Sequence, residues 1–374
     1  MNRIYVAQPK LAGKEREYVL DCLDTNWISS NGKYIEAFEQ AFAKFCGTEH
    51  AVATNNGTTA LHLALVALGI KPGDEVIVPT VTYIATANAV KYCGATPVLV
   101  DVCPYTLNID PAAIERKITA NTRAIIPVHL YGHPADMQAI IDIAKRHQLF
   151  VVEDAAESHG AQYYGQKVGS LGDCAMFSFF GNKIMTTGEG GMVVTNNAEL
   201  AKTLRLYRGQ GMDSQRRYWF PVIGYNYRMT NIQAAIGLAQ LEQIETALAD
   251  RQQLALWYHD SLNHLEDKIV LPKQVDNYKH AYWMYNIFLR NGNEQERDAI
   301  MAALDKHNIE TRPVFYPMHI LPPYKEEMSY PVADSWAKRG INLPTHQGLT
   351  QVDISRIADC LTKTLTSLNP EATL

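Results

Sequence analysis

Three short stretches of this 374-residue chain carry side chains that could do chemistry. The apolar run FSFFGNK, Phe177 to Lys183, closes on a lone lysine, and Ile-Met-Thr-Thr-Gly-Glu-Gly-Gly follows. A buried ammonium is costly to desolvate, so such a lysine is paired, exposed, or used as an amine nucleophile. A second stretch, FVVEDAAESH, ends an apolar strand with Glu153, Asp154 and Glu157, carboxylates that an interior accepts only with partners. Read alone, Asp154 is equally a helix cap or a salt-bridged aspartate. The third, NNGTTA from Asn55 to Ala60, sets Gly57 and two threonine hydroxyls at the start of a helix. Free N–H groups and partial positive charge there suit a phosphate monoester, although the stretch alone reads equally as a plain cap.

One cofactor calls for all three. Pyridoxal phosphate needs a lysine to form an imine, an acid to keep its ring nitrogen protonated, and a phosphate pocket. On this reading Lys183 is the imine lysine, Asp154 the ring partner, and Gly57 with Thr58 the phosphate cradle. Tyr83, in PTVTYIATAN, is placed to stack on the ring, a position where an aromatic also serves simple packing. Glycines 188, 190 and 191 let backbone pass close to a ligand, and equally make a hairpin turn.

The elements that must position these residues follow from hydrophobic pattern. AVAT, EVIVP, TPVLVDV, RAIIPVHL and FVVEDAA are continuous apolar, β-rich runs, each followed by a helical pattern such as ADMQAIIDIAKRHQ. They predict an α/β fold with a mainly parallel sheet covered on both faces, whose ligands collect at the carboxyl ends of the strands. CAMFSFF (174–180) and GGMVVTN (190–196) lie too close for a helix between them and are expected to run antiparallel, which makes the sheet mixed. Thr230 to about Leu262 reads as one long helix or a broken pair. Beyond it AYWMYNIFLR, a helix near Asn293 to His307, IETRPVF and a last helix from Asp353 to about Leu368 predict a smaller α+β unit. The expected division is 1–250 for the large cofactor-binding domain and 251–374 for the small one.

Other chemistries find little support. Gly160 to Gly165 has the spacing of a phosphate loop, but Gln166 stands where its lysine must be. His129 and His133 have a spacing seen among metal ligands, yet Gly132 and Pro134 interrupt any helix there and no third ligand is near, so no metal site is expected. Six scattered cysteines read as reduced structural thiols. A net charge of −5, with Lys and Arg scattered singly, lacks the basic stripe of a nucleic-acid binder. No window has the length and apolarity to cross a bilayer, and a cytoplasmic protein is expected.

The blocks NNGTTALHLAL, PTVTYIATANAV, VVEDAAESHGA, FSFFGNKIMTTGEGGM and GYNYRMTNIQAAIG, in that order, resemble the DegT/DnrJ/EryC1/StrS family of pyridoxal-phosphate-dependent nucleotide-sugar aminotransferases. The likeness runs nearly end to end. It implies the fold type I, aspartate aminotransferase-like architecture. It implies Lys183 as the Schiff-base lysine, Asp154 on the pyridine nitrogen, Gly57, Thr58 and Ser178 on the phosphate, and Tyr83 against the ring. Glu157 stands where many relatives carry glutamine near the phenolic oxygen. Asn226, in GYNYR, matches an asparagine that reaches the phosphate of a neighbouring subunit, which implies a homodimer with shared sites and leaves a tetramer open. Arg312, Tyr316 and His319, in TRPVFYPMH, resemble the segment that helps hold the sugar nucleotide, and such a loop equally serves domain packing. The implied reaction moves the amino group of L-glutamate to C4 of a nucleotide-linked 4-keto-6-deoxy sugar. Relatives with histidine in place of the lysine are dehydratases, so Lys183 favours transamination. A dehydratase of this fold and a non-catalytic regulatory protein are the alternatives.

Overall fold

The computed structural model describes residues 2–368; the last six residues, assigned above to the smaller unit, lie outside them with Met1. In chain order the strands are β1 (His50–Thr54), β2 (Glu75–Pro79), β3 (Thr96–Val100), β4 (Thr122–Ile125), β5 (Phe150–Asp154), β6 (Gln162–Tyr163), β7 (Gln166–Lys167), β8 (Cys174–Ser178), β9 (Gly191–Thr195), β10 (Ile269–Val270), β11 (Tyr278–Lys279), β12 (Tyr285–Leu289), β13 (Arg312–Pro313) and β14 (Gly340–Leu343). The helices are α1 (Glu15–Asp24), α2 (Lys33–Cys46), α3 (Gly57–Ala67), α4 (Ala85–Tyr92), α5 (Pro111–Glu115), α6 (Met137–His147), α7 (Ala198–Arg208), α8 (Asn231–Glu242), α9 (Ile244–Leu262), α10 (Glu294–Lys306), α11 (Pro331–Trp336) and α12 (Gln351–Leu368).

Seven strands form the central sheet in the order β1-β9-β8-β5-β4-β2-β3. Strands β8, β5, β4, β2 and β3 pair in parallel, and β9 runs against both β8 and β1, so the sheet is mixed as the short β8–β9 connection requires. Both faces of β2, β5 and β8 are buried, which is why their sequences are largely apolar rather than alternating. The parallel strands bring their carboxyl ends to one edge. Asp154 and Ser178 close β5 and β8 there, Gly57 lies three residues past β1, and Tyr83 four past β2.

The stretch from Thr230 to Leu262 is the broken pair, α8 and α9, parted at Gln243. Helix α9 starts in the main core with Ile244, Ala247 and Leu248. It ends in a second core with Leu254, Tyr258 and Leu262. Position 250 falls inside this helix. The second core also takes Ile4 from the N-terminal segment and faces of α10 and α12. An antiparallel sheet, β10-β12-β14-β13, underlies it.

AYWMYNIFLR, one of the segments of the expected smaller unit, enters the ladder only at Tyr285. Its first residues cross the β4–α6 connection instead, where the Ala281 N–H donates to the Gly132 carbonyl at 2.8 Å. Gly132 has φ +100, and a Cβ there would stand 2.9 Å from the Tyr282 nitrogen, so only glycine lets the two chains meet. No helix among the described residues is long and apolar enough to cross a membrane.

Candidate active site

A cavity of about 620 Å³ opens at the carboxyl edge of the central sheet and is closed on its far side by Trp283, Arg312, Phe315 and Asn342 of the C-terminal region. Gly57, Thr58, Tyr83, Asp154, Glu157, Ser178, Lys183 and Arg312 all line it. Residues spread over more than two hundred positions thus share one concavity, because parallel strands end together.

Lys183 does not sit at the strand end that its sequence suggests. Strand β8 stops at Ser178, and the lysine lies on the turn beyond, where its own N–H donates to the Phe180 carbonyl at 2.9 Å. The loop folds back on itself: the Thr187 N–H and the Phe179 carbonyl, and the Phe179 N–H and the Gly190 carbonyl, pair at 2.9 and 2.8 Å. The Lys183 side chain is 11% exposed, with Nζ 3.5 Å from Glu157 Oε1. Nζ also lies 3.8 Å over the Trp283 ring. Burial pushes this ammonium below the ordinary lysine range, against the pull of Glu157 and Asp154. An amine that loses its proton readily is what a nucleophile and proton carrier needs.

The three carboxylates part company. Glu153, one position from Asp154 on an extended strand, points to the opposite face. There it takes a 3.0 Å hydrogen bond from His129 Nε2 and others from the N–H groups of Gly169, Leu171 and Gly172. Burial works to raise the Glu153 carboxyl, but His129 and these N–H groups outweigh it and hold it below the ordinary range. Asp154 Oδ2 accepts from Thr86 Oγ1 at 2.8 Å, and Oδ1 from the Ala156 N–H at 3.2 Å. Burial raises the Asp154 carboxyl, with the Thr86 hydroxyl the leading opposing influence. Glu157 Oε2 accepts the Tyr131 N–H at 2.9 Å, and burial lifts its carboxyl to about 7 against the effect of Lys183.

At the other end of the cavity, Asn56 caps α3 by accepting the Thr59 N–H at 2.9 Å. The cap and the anion cradle are the same turn. The first N–H groups of a helix have no intrahelical partners, and those of Gly57 and Thr58 belong to residues lining the cavity. A Cβ on Gly57 would stand 2.7 Å from the Ser178 Cβ, so α3 can meet the end of β8 only through glycine.

These residues fit pyridoxal phosphate. The buried Asp154 carboxylate is met by a hydroxyl and an N–H rather than by a cation, an arrangement that a protonated pyridine nitrogen completes. The Gly57 turn with the Ser178 hydroxyl suits the phosphate, and Lys183 lines the same cavity.

Three expected residues lie outside the cavity lining. Asn226 is bridged to Gly209, and its Oδ1 accepts from Arg228 Nε at 3.1 Å. Tyr316 is half exposed, with the Arg297 guanidinium 5.7 Å from its ring. His319 is buried, with Nδ1 2.7 Å from Thr80 Oγ1 and Nε2 2.9 Å from Asp334 Oδ1, and it stacks on Tyr330; its contacts are those of packing. Conversely, Thr86, Tyr131, Trp283 and Asn342 line the cavity without having been singled out. Thr86 had a signal, a hydroxyl on the apolar first turn of the helix after β2. Trp283 and Asn342 had none, since their role depends on the second sheet docking against the first.

Comparison with known proteins gives the family. Residues 9–362 match the model of the DegT/DnrJ/EryC1/StrS aminotransferase family. The chain is 58% identical to the GDP-perosamine synthase of Caulobacter vibrioides, over 97% of this chain and 98% of that protein. It is 50% identical to the GDP-perosamine synthase of Escherichia coli O157:H7, over 96% of this chain and 98% of that one. The crystal structure of the aminotransferase TlmJ from Streptoalloteichus hindustanus superposes with a TM-score of 0.93 at 29% identity, covering 98% of this chain and 100% of that one. With the lysine, the aspartate and the glycine turn gathered in one cavity and the match spanning nearly the whole chain, this protein belongs to the DegT/DnrJ/EryC1/StrS aminotransferase family.

Proposed function

We propose that this sugar aminotransferase moves the amino group of L-glutamate to C4 of GDP-4-keto-6-deoxy-D-mannose, yielding GDP-perosamine. The observation that carries the reading is the joint placement of Lys183, Asp154 and the Gly57–Thr58 turn around one cavity. The base and the sugar rest on the whole-chain likeness to two GDP-perosamine synthases.

Pyridoxal phosphate, when bound, supplies the electron sink and carries the amino group from donor to acceptor. Asp154 would face its ring nitrogen, and Gly57, Thr58 and Ser178 would hold its phosphate. Lys183 takes the proton from Cα of the glutamate and later returns one to C4 of the sugar, as its low-lying amine permits. Glu157, 3.5 Å from Nζ, keeps that amine oriented. Tyr83 and Phe315, with rings 5.9 Å apart, wall the entrance, and Arg312 offers a cation to the anionic substrates.

The assembly we infer is a homodimer that shares its sites. Asn226 lies outside its own cavity, and the segment before it exposes Tyr218, Trp219, Phe220 and Ile223, the last 93% exposed. Such a patch fits a face covered by a second copy whose cavity Asn226 completes.

The test is incubation of the purified protein with glutamate and a panel of 4-keto GDP-, UDP- and dTDP-sugars. Glutamate-dependent amine transfer to the GDP sugar is expected, together with its loss in Lys183→Ala. Transfer to another nucleotide sugar alone would remove the substrate assignment, and full activity of Lys183→Ala would remove the mechanism.

A further inference from the structure

Lys183 is also held by a residue of the C-terminal region. Trp283, on the segment leading into β12, sets its indole face 3.8 Å from Nζ. The same indole donates its Nε1–H to the carbonyl of Asn182, the preceding residue, at 2.8 Å. One ring therefore fixes both the ammonium and the backbone that carries it. The ring is itself fixed. Tyr131 stacks on it with centroids 6.1 Å apart and planes at 17°. Arg251, 3% exposed, donates from one nitrogen to the carbonyls of Tyr282, Trp283 and Thr345 at 2.9, 3.1 and 3.2 Å. These partners are backbone carbonyls rather than a carboxylate, so a buried cation is committed to holding this short stretch in place.

We propose that Trp283 is a positioning residue for the catalytic amine: its face seats the Lys183 ammonium whenever that amine is free, and its N–H keeps Asn182 from carrying the lysine away. This deepens the reading above and rests on Lys183 being the catalytic amine. The groups facing Lys183 are Glu157 and Asp154 from β5 and the turn after it, His159 from the same turn, and Trp283 from the second-sheet side. Burial drives His159 down to about 3, so it faces the lysine uncharged. Burial lifts Glu157 to about 7, so that carboxylate competes for the amine's proton. An aromatic face holds a cation without being able to take its proton. It therefore stabilises the charged amine in place without itself accepting the proton.

Competition labelling of Lys183 with acetic anhydride across pH, in the full-length chain without cofactor, measures the pH at which the amine becomes reactive. In Trp283→Leu that midpoint falls by about half a pH unit to one pH unit, because the charged form loses its seat. In Trp283→Phe, which keeps a face but no N–H, the midpoint falls by less, while kcat of the loaded enzyme drops about ten-fold for want of the Asn182 anchor. Unchanged or raised midpoints in both variants overturn the proposal whatever happens to their melting temperatures, since lost packing alone admits water and moves the amine's titration up, not down. Should the leucine chain not fold, an unchanged midpoint with unchanged kcat in the phenylalanine chain overturns it. The labelling needs no cofactor, so it reports on the seat independently of any transamination assay; failure of the mechanism would show instead as amine transfer surviving in Lys183→Ala.

Discussion

Thr86 Oγ1 donates a 2.8 Å hydrogen bond to Asp154 Oδ2 on the buried wall of the cavity. Burial drives the Asp154 carboxyl toward neutrality, and this hydroxyl is the leading force against it. Replacing Thr86 by Val removes a hydrogen bond to a charged group, a loss of about 1.5–3 kcal/mol. The carboxyl then rises further and pairs less well with a cationic ring, so affinity for pyridoxal phosphate should fall about ten-fold or more. A titration of cofactor binding at neutral pH checks this, with Thr86→Ser retaining affinity. Equal affinity in the valine variant would show that Asp154 does not depend on Thr86.

Glu157 makes stability depend on pH in a defined window. Burial lifts its carboxyl to about 7, while an unfolded chain has the ordinary value of about 4.3. Above about pH 4.3 the folded chain holds a proton that the unfolded chain has released, so stability from this group is full at lower pH and is lost as pH rises to about 7. The cofactor-free protein should lose about 3–4 kcal/mol through this group across that window. Glu157→Gln should flatten the profile by a similar amount. Urea unfolding at a series of pH values decides it; two curves that stay parallel from pH 4 to 8 contradict the assignment.

Gly57→Ala tests the cradle. The new Cβ would meet the Ser178 Cβ at 2.7 Å and its hydroxyl at 3.0 Å, so α3 or the end of β8 must shift. Overpacking of this kind costs about 1–3 kcal/mol in stability. Cofactor affinity should fall more steeply than stability, because the shift moves the N–H groups that meet the phosphate. Melting temperature and cofactor dissociation constant, measured on one sample, separate the two effects, and unchanged affinity would place the phosphate elsewhere.

Shared sites make a prediction that unshared ones cannot. Lys183→Ala and Asn226→Ala chains should each be nearly inactive alone. Mixed after co-expression, a heterodimer gathers both defects in one site and leaves the other intact, so about a quarter of all sites recover. Activity that stays at the level of the separate variants would mean that Asn226 does not act across a subunit boundary.

Much of this was legible in one dimension. Strands buried on both faces must be apolar throughout, so β1, β2 and β5 stand out as continuous runs, and the edge strand β3 is apolar too although Thr96 is exposed. Lys183, Asp154 and Gly57 stand out because each is a residue type that an interior or a strand-to-helix turn does not take without a reason. Other parts were not. AYWMYNIFLR has the composition of a strand through its whole length, and only the crossing of Gly132 decides that its first half leaves the ladder. His319 shares its segment with Arg312, but Thr80 and Asp334 draw it out of the cavity.

The residue order by itself determined the parallel run of strands, the reversed strand β9, and the types of group that would meet at the carboxyl edge. It did so because apolarity, periodicity and the cost of burying charge are local properties. Only the tertiary structure decided that Glu153 turns away to His129 while Asp154 and Glu157 face the cavity, and that Trp283 arrives beneath Lys183. Those outcomes depend on which face of β5 is covered by what and on how the second sheet docks, relations between distant segments that spacing along a chain does not encode.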